Sequence, residues 1–152
     1  RAVGSYVWGS ALMGTTLTAI RMEGAGPLSM LHLCHIGDSR CYLFNGSLLR
    51  QLTEDHEAYD EAFQGAVLNS YLGIDIRSYA IKIQQDIVPV NAGDRLLLCS
   101  DGLYKQMPEM RMAVLIRENL QNPQQMLQIL ANEASKEEHS DNITIVFIEI
   151  EN

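Results

Sequence analysis

The order of segments along the chain predicts an α+β fold in which antiparallel β-sheets face each other and helices cover an outer face. Three observations carry that expectation. Apolar, β-branched runs divided by turn signals fill the first third; two segments with apolar residues at helical spacing come late; and a final apolar run, Ile143 to Ile150, returns the chain to the sheet. The 152 residues are 47% apolar and 20% charged. A chain of that size buries roughly two-thirds of its unfolded surface, so it needs neither disulfide nor structural zinc, and disorder is excluded as the main state. With no internal repeat, low-complexity segment or linker, residues 1–152 read as a single domain.

Met13 to Ile20 is rich in β-branched residues and reads as a strand. The turn signal Glu23-Gly-Ala-Gly-Pro27 joins it to an apolar run from Leu28 to Ile36, which makes a hairpin. After Gly37-Asp-Ser-Arg40, the run Cys41 to Phe44 meets Ser47 to Gln51 through Asn45-Gly46, a strong hairpin signal. The segment Glu54 to Gly73 reads as a short helix with loops, from Ala62, Phe63, Ala66 and Val67. Tyr79 to Val88 alternates as a strand, Pro89 to Asp94 forms a tight turn, and Arg95 to Cys99 is apolar on both faces, as a strand covered above and below must be. Two helices follow. Pro108 occupies the first turn of one, with Met112, Leu115 and Ile116 on its apolar face. Asn122 caps the other and Pro123 opens it, with Met126, Leu127, Leu130, Ala131 and Ala134 as its stripe; the methionines are core filler.

Eleven basic against nineteen acidic side chains give a net charge of -8. That is the wrong sign for neutralising nucleic-acid phosphates or an anionic membrane surface, and it suits a divalent cation. No apolar run approaches the roughly 20 residues of a membrane span. The odd count of three cysteines, Cys34, Cys41 and Cys99, each in an apolar segment, points to reduced, buried thiols. The expectation is a soluble, cytoplasmic chain.

Three aspartates stand at predicted strand ends beside small or turn-forming residues: Asp38 in Gly37-Asp-Ser-Arg40, Asp101 in Ser100-Asp-Gly102, and Asp141 in Ser140-Asp-Asn142. Each alone would be an Asx turn. Together, carboxylates at the ends of one sheet repel unless a cation lies between them, and Mg²⁺ and Mn²⁺ select such oxygen ligands.

The residues at this point resemble the metal-dependent protein serine/threonine phosphatases of the PP2C (PPM) type, especially the compact bacterial members. The motifs that carry the resemblance run in order: Met13-Gly-Thr-Thr-Leu17, His35-Ile-Gly-Asp-Ser-Arg-Cys-Tyr-Leu43, Leu52-Thr-Glu-Asp-His56, Leu72-Gly73, Gly93-Asp-Arg-Leu-Leu-Leu-Cys-Ser-Asp-Gly-Leu103 and Asp141-Asn-Ile-Thr-Ile-Val146. The resemblance implies a PP2C-like layered β-sandwich flanked by helices. It implies that Asp101 and Asp141 are ligands of a paired Mn²⁺/Mg²⁺ site, and that Asp38 binds an accessory third ion that shares Asp101. It implies hydrolysis of phosphoserine and phosphothreonine in a phosphorylated protein substrate by water bridging the ions, with no protein nucleophile. A catalytically inactive relative acting as a protein-binding module is the alternative, and a phosphatase of small phosphate esters a third reading.

The family's phosphate-binding Arg and its Asp-Gly-His-Gly motif, whose Asp bridges the metals, do not occur in these 152 residues. The domain is therefore expected to lack its first strands and to be incomplete at the N-terminus, unless it is a truncated binding homologue or another chain completes the site. As it stands, the chain is expected to have little or no phosphatase activity. The segment between His56 and Leu72 is shorter than the family's flap. Among other polar residues, Arg40 is expected in a structural ion pair more than on phosphate, Asn142 to organise the loop presenting Asp141, and His139 to stand near the site. His32 and His35, three apart on a strand, face opposite ways. Glu133, Glu137 and Glu138 are read as a solvated helix face and end.

Overall fold

The computed structural model describes residues 5–7, 10–24, 29–77, 80–136 and 141–151. Its elements are β1 (Ser5–Val7), β2 (Ser10–Leu12), β3 (Leu17–Glu23), β4 (Ser29–Ile36), β5 (Arg40–Phe44), β6 (Leu49–Gln51), β7 (Glu57–Asp60), β8 (Gly65–Leu68), β9 (Gln84–Val90), β10 (Arg95–Cys99), α1 (Asp101–Tyr104), α2 (Glu109–Glu118), α3 (Pro123–Ala134) and β11 (Ile145–Glu149). All strand pairs are antiparallel. Among the described residues, one sheet has the order β11-β10-β5-β6 and a second β3-β4-β9, with β1-β2 and β7-β8 as separate hairpins.

The layering follows from side-chain alternation on the central strands. On β5, Tyr42 and Phe44 point into a core shared with Leu97 and Cys99 of β10, Met112, Leu115 and Ile116 of α2, and Met126, Leu130 and Ala134 of α3. The intervening residues Cys41, Leu43 and Leu96 point the other way, into a second core with Leu31, Leu33 and Val90 of the facing sheet. The four-stranded sheet is thus covered on both faces, the physical reason its strands read as unbroken apolar runs. The result is a three-layer stack of helices, sheet and sheet, as the segment order predicts. Met112 and Met126 are fully buried fillers, while Met110 lies on the exposed side of α2. Asn122 caps α3 by accepting from the Gln125 amide, with Pro123 in the first turn.

Four expectations are corrected. The segment after His56 is not a helix but the hairpin β7-β8, paired from Glu57↔Leu68 to Asp60↔Gly65. Asp60 Oδ1 accepts from the Ala62 and Phe63 amides and Gln64 takes a positive φ of 50°, so an Asx turn overrides the short helical pattern. Strand β9 runs through Pro89, opposite Met30, rather than stopping at Val88; it is a sheet edge, where proline's missing N–H costs no ladder bond. Tyr79 lies outside the described residues, as does most of the Glu23–Pro27 turn. Strand β3 starts at Leu17, because Thr15 instead exchanges both backbone hydrogen bonds with Leu72. Finally, residues 101–104 form the short helix α1, which the apolar run before them concealed.

Candidate functional site

The loop between β4 and β5 is fixed before any charged group is considered. Gly37 takes φ +116°, and a Cβ there would collide with the Thr16 side chain. Only glycine meets both demands. The Gly37 amide donates to His56 Nδ1 at 3.1 Å, and its carbonyl accepts from the His56 amide at 2.8 Å. Thr16 Oγ1 and Ser39 Oγ share a 2.8 Å hydrogen bond, and Tyr104 Oη donates to the Asp38 carbonyl at 2.9 Å. Three of the sequence motifs therefore converge to aim one carboxylate, that of Asp38.

Asp101 opens α1 at the end of β10, so it projects from the same end of the sandwich. The next residue, Gly102, lies against the 141–142 backbone: a Cβ would sit 2.7 Å from the Asn142 carbonyl oxygen and 3.0 Å from that of Asp141. Ser100 Oγ donates to the Asn142 carbonyl at 3.0 Å and accepts from the Thr144 amide at 2.9 Å, and the Asn142 amide donates to Asp141 Oδ1. Asn142 thus ties the Asp141 loop to Ser100 and Gly102. Gly102→Ala should cost about 2 kcal/mol in a urea melt, an overpacking penalty against unyielding backbone. A loss below about 0.5 kcal/mol would mean that the loop is not pinned there.

Asp38 and Asp101 are both buried, at 9% and 8% exposure, and meet at this corner. Burial pushes the Asp38 carboxyl above its ordinary range, the Asp101 charge adds to that, and Lys105 opposes it. The Lys105 ammonium lies 3.0 Å from Asp101 Oδ2, 3.2 Å from Glu57 Oε1 and 3.6 Å from Asp38 Oδ2. Hard oxygen donors on two buried, mutually repelling carboxylates fit a divalent ion chemically. Among the described residues, no group of three or more His, Cys, Asp or Glu side chains is arranged to hold a metal ion by itself. Asp38 and Asp101 are the two carboxylates that this chain brings together here; Asp141 stands on the adjoining loop.

Arg40 turns away from that corner. Its Nε and Nη2 donate to both oxygens of Asp55, at 2.6 to 3.1 Å, and its Nη1 donates to Tyr42 Oη, while the guanidinium lies 3.6 Å over the Tyr104 ring. Burial alone would lower its pKa, but the hydrogen bonds to Asp55 and Tyr42 outweigh that and raise it. Behind the loop, His35 is fully buried. Its Nε2 faces the carbonyls of Gly37 and Glu54, so that nitrogen carries the proton and Nδ1 accepts from Thr18 Oγ1. The His56 ring is 4.9 Å away, and its buried Nε2 has no partner. Burial lowers the pKa of both rings, and His56 lowers that of His35 further. The unfolded chain then binds protons that the folded chain refuses. Stability is complete above the ordinary histidine range and falls as pH drops through 6.5, by up to about 1.4 kcal/mol per pH unit per ring. Urea melts at pH 7.5 and 6.0 check this; a stability that rises toward pH 6.0 would reverse the sign.

Of the residues singled out in the sequence, Asp38 and Asp101 are brought side by side and Asn142 is on the loop beside Gly102. Arg40 is in an ion pair, and His139 lies outside the described residues, as do Glu137 and Glu138. Glu133 pairs with Arg111 rather than standing free in solvent. Lys105, Glu57 and Asp55 were not legible as site residues. For Lys105 the signal was its spacing four residues after Asp101, which puts both on one helical face. The three thiols are free, with Cys41 and Cys99 buried and pushed up to about 12 by burial, which leaves them unreactive.

A sequence profile described as Stage II sporulation protein E (SpoIIE) matches residues 29–151. The chain is 32% identical over 148 residues to a serine/threonine phosphatase stp of Listeria monocytogenes, across 90% of its own length and 57% of the relative's. Its fold superposes on a Mycobacterium tuberculosis serine/threonine phosphatase, PstP/Ppp, with a TM-score of 0.69 and 31% identity, covering 92% of this chain and 61% of that one. It also superposes on a PstP catalytic domain in complex with two manganese ions, with a TM-score of 0.64 and 28% identity over 92% and 60% of the two chains. The chain thus spans about three-fifths of each of these three proteins. Among the described residues, no helix is long and apolar enough to cross a membrane. With a family profile matching most of its length, and an antiparallel two-sheet stack and strand-end aspartates to go with it, the chain belongs to the SpoIIE/PP2C-type phosphatase-domain family.

Proposed function

We propose that residues 1–152 form the larger part of a metal-dependent protein serine/threonine phosphatase domain, acting on phosphoserine and phosphothreonine in cytoplasmic protein substrates. The observation that carries this reading is the meeting of two buried carboxylates, Asp38 and Asp101, at one end of the sandwich, each at a strand end and each on a loop locked by its neighbours. Asp101 and Asp141 would hold a pair of Mn²⁺ or Mg²⁺ ions, and Asp38 with Asp101 an accessory ion. Bound there, the ions supply charge neutralisation of the phosphoryl oxygens and a more acidic water. The chain's own contribution is to hold these carboxylates in place and orient them. Gly37 and Tyr104 fix the Asp38 backbone, Gly102 seats Asp101 against the Asp141 loop, and Ser100 ties that loop down. The Asp-Gly-His-Gly bridging aspartate and the phosphate-binding Arg would come from outside these residues. Free thiols in buried positions accord with a reducing compartment.

The test is hydrolysis of a phosphothreonine peptide by the full-length protein with Mn²⁺, with EDTA, and with the 152-residue piece alone. Metal-dependent turnover by the full-length protein and little by the piece is the expected result. A full-length protein that binds phosphopeptide but never turns it over, with or without Mn²⁺, would favour the binding-module alternative.

A further inference from the structure

We propose that Lys105 is a built-in counter-ion that competes with a divalent cation for the Asp38–Asp101 pair, so that metal enters this corner only as the ammonium swings out. The inference rests on the metal-dependent reading above. Three carboxylates from three separate elements surround one ammonium: Asp101 of α1 at 3.0 Å, Glu57 of β7 at 3.2 Å, and Asp38 of the β4–β5 loop at 3.6 Å. Two of the ammonium's three donors are used in hydrogen bonds to Asp101 and Glu57, and Asp38 is held as an ion pair. The aspartate side chains are only 12% and 11% exposed, so water cannot screen their repulsion well. A positive charge near them offsets that repulsion, and the Lys105 ammonium stands there.

A divalent ion takes oxygen ligands at about 2.0 to 2.6 Å. One bound by Asp38 and Asp101 would lie within a few ångströms of the present Nζ, and two cations at that separation repel strongly in a partly buried site. The two occupants exclude each other. The asymmetry of burial says which one moves. The carboxylates are fixed by their loops, whereas the Lys105 side chain is 41% exposed on a flexible four-carbon stem and can turn to solvent without unfolding anything. Glu57, at the start of the β7-β8 hairpin, offers it a second partner on the way out.

The experiment is a Mn²⁺ binding isotherm on the full-length protein, comparing wild type with Lys105→Gln, Lys105→Arg and the double variant Lys105→Gln/Asp38→Asn. Lys105→Gln should bind an ion about tenfold more tightly, Lys105→Arg should stay within about threefold of wild type, and the double variant should lose the gain. Equal or weaker Mn²⁺ binding by Lys105→Gln overturns the proposal. So does a Lys105→Gln protein with unchanged Mn²⁺ affinity and a raised KM for phosphopeptide, which would assign the ammonium to substrate. If Lys105→Gln does not fold, ¹⁵N-lysine NMR of the wild type decides: the Lys105 side-chain signal should shift as Mg²⁺ saturates the protein, and a signal that stays put overturns the idea. Failure here with Mn²⁺-dependent turnover intact leaves the phosphatase reading standing. Loss of both Mn²⁺ binding and turnover in the wild type would remove that reading as well.

Discussion

In the full-length protein, Asp101→Asn lowers Mn²⁺-dependent hydrolysis of a phosphothreonine peptide by on the order of a thousandfold, the equivalent of about 4 kcal/mol of transition-state stabilisation. The size follows from position: of the three strand-end aspartates, this one is expected to serve every ion, so its loss is not confined to one. The same substitution leaves metal-free stability unchanged or slightly raised. Asp38, Asp101 and Glu57 crowd a single Lys105 ammonium, and Asp101 is the neighbouring charge that pushes the Asp38 carboxyl upward. Removing one of three carboxylates relieves that repulsion at the cost of one ion pair. The measurement is kcat/KM beside a Mn²⁺ isotherm and a urea melt in EDTA. Full activity in the variant would take Asp101 out of the site; a collapse of metal-free stability would make its role structural.

Arg40→Ala costs about 3 kcal/mol of stability, because it strands the Asp55 carboxylate in a place where only a fifth of it is exposed. The guanidinium does several things at once: it bridges both Asp55 oxygens, donates to Tyr42 and covers the Tyr104 ring, whose hydroxyl holds the Asp38 carbonyl. Arg40→Lys should recover less than half of the loss, since an ammonium lacks the planar fork. The double variant Arg40→Leu/Asp55→Leu should lose less than Arg40→Ala, because no charge is left buried alone. Among variants that still fold, KM for phosphopeptide should change by less than about threefold. A KM raised by about tenfold or more, with stability unaltered, would instead make Arg40 a substrate-phosphate ligand.

Much of this molecule was legible from residue order, because its information is local. Asn45-Gly46 lies in the loop joining β5 to β6, Asn122-Pro123 starts α3, and the double-faced apolar runs of Arg95 to Cys99 and Cys41 to Phe44 require a covered sheet. The residues at 37–40 were also legible as the turn between two strands, since glycine, aspartate and serine mark such positions whatever surrounds them, whereas Asp101 turned out to open α1. What only the tertiary structure decided depends on long-range neighbours. Whether Glu57 to Leu68 is helix or hairpin was settled by an Asx turn and a strand ladder, not by its apolar spacing. That Pro89 could sit in a strand was settled by β9 lying at an edge. That Arg40 serves Asp55 and leaves the Asp38 corner to Lys105 was settled by the folding of the Leu52–His56 motif against the β4–β5 loop. The types of side chain at the site belong to the sequence; which of two nearby cations faces which carboxylate is set by a few ångströms of packing, and at low effective dielectric those ångströms decide the partner.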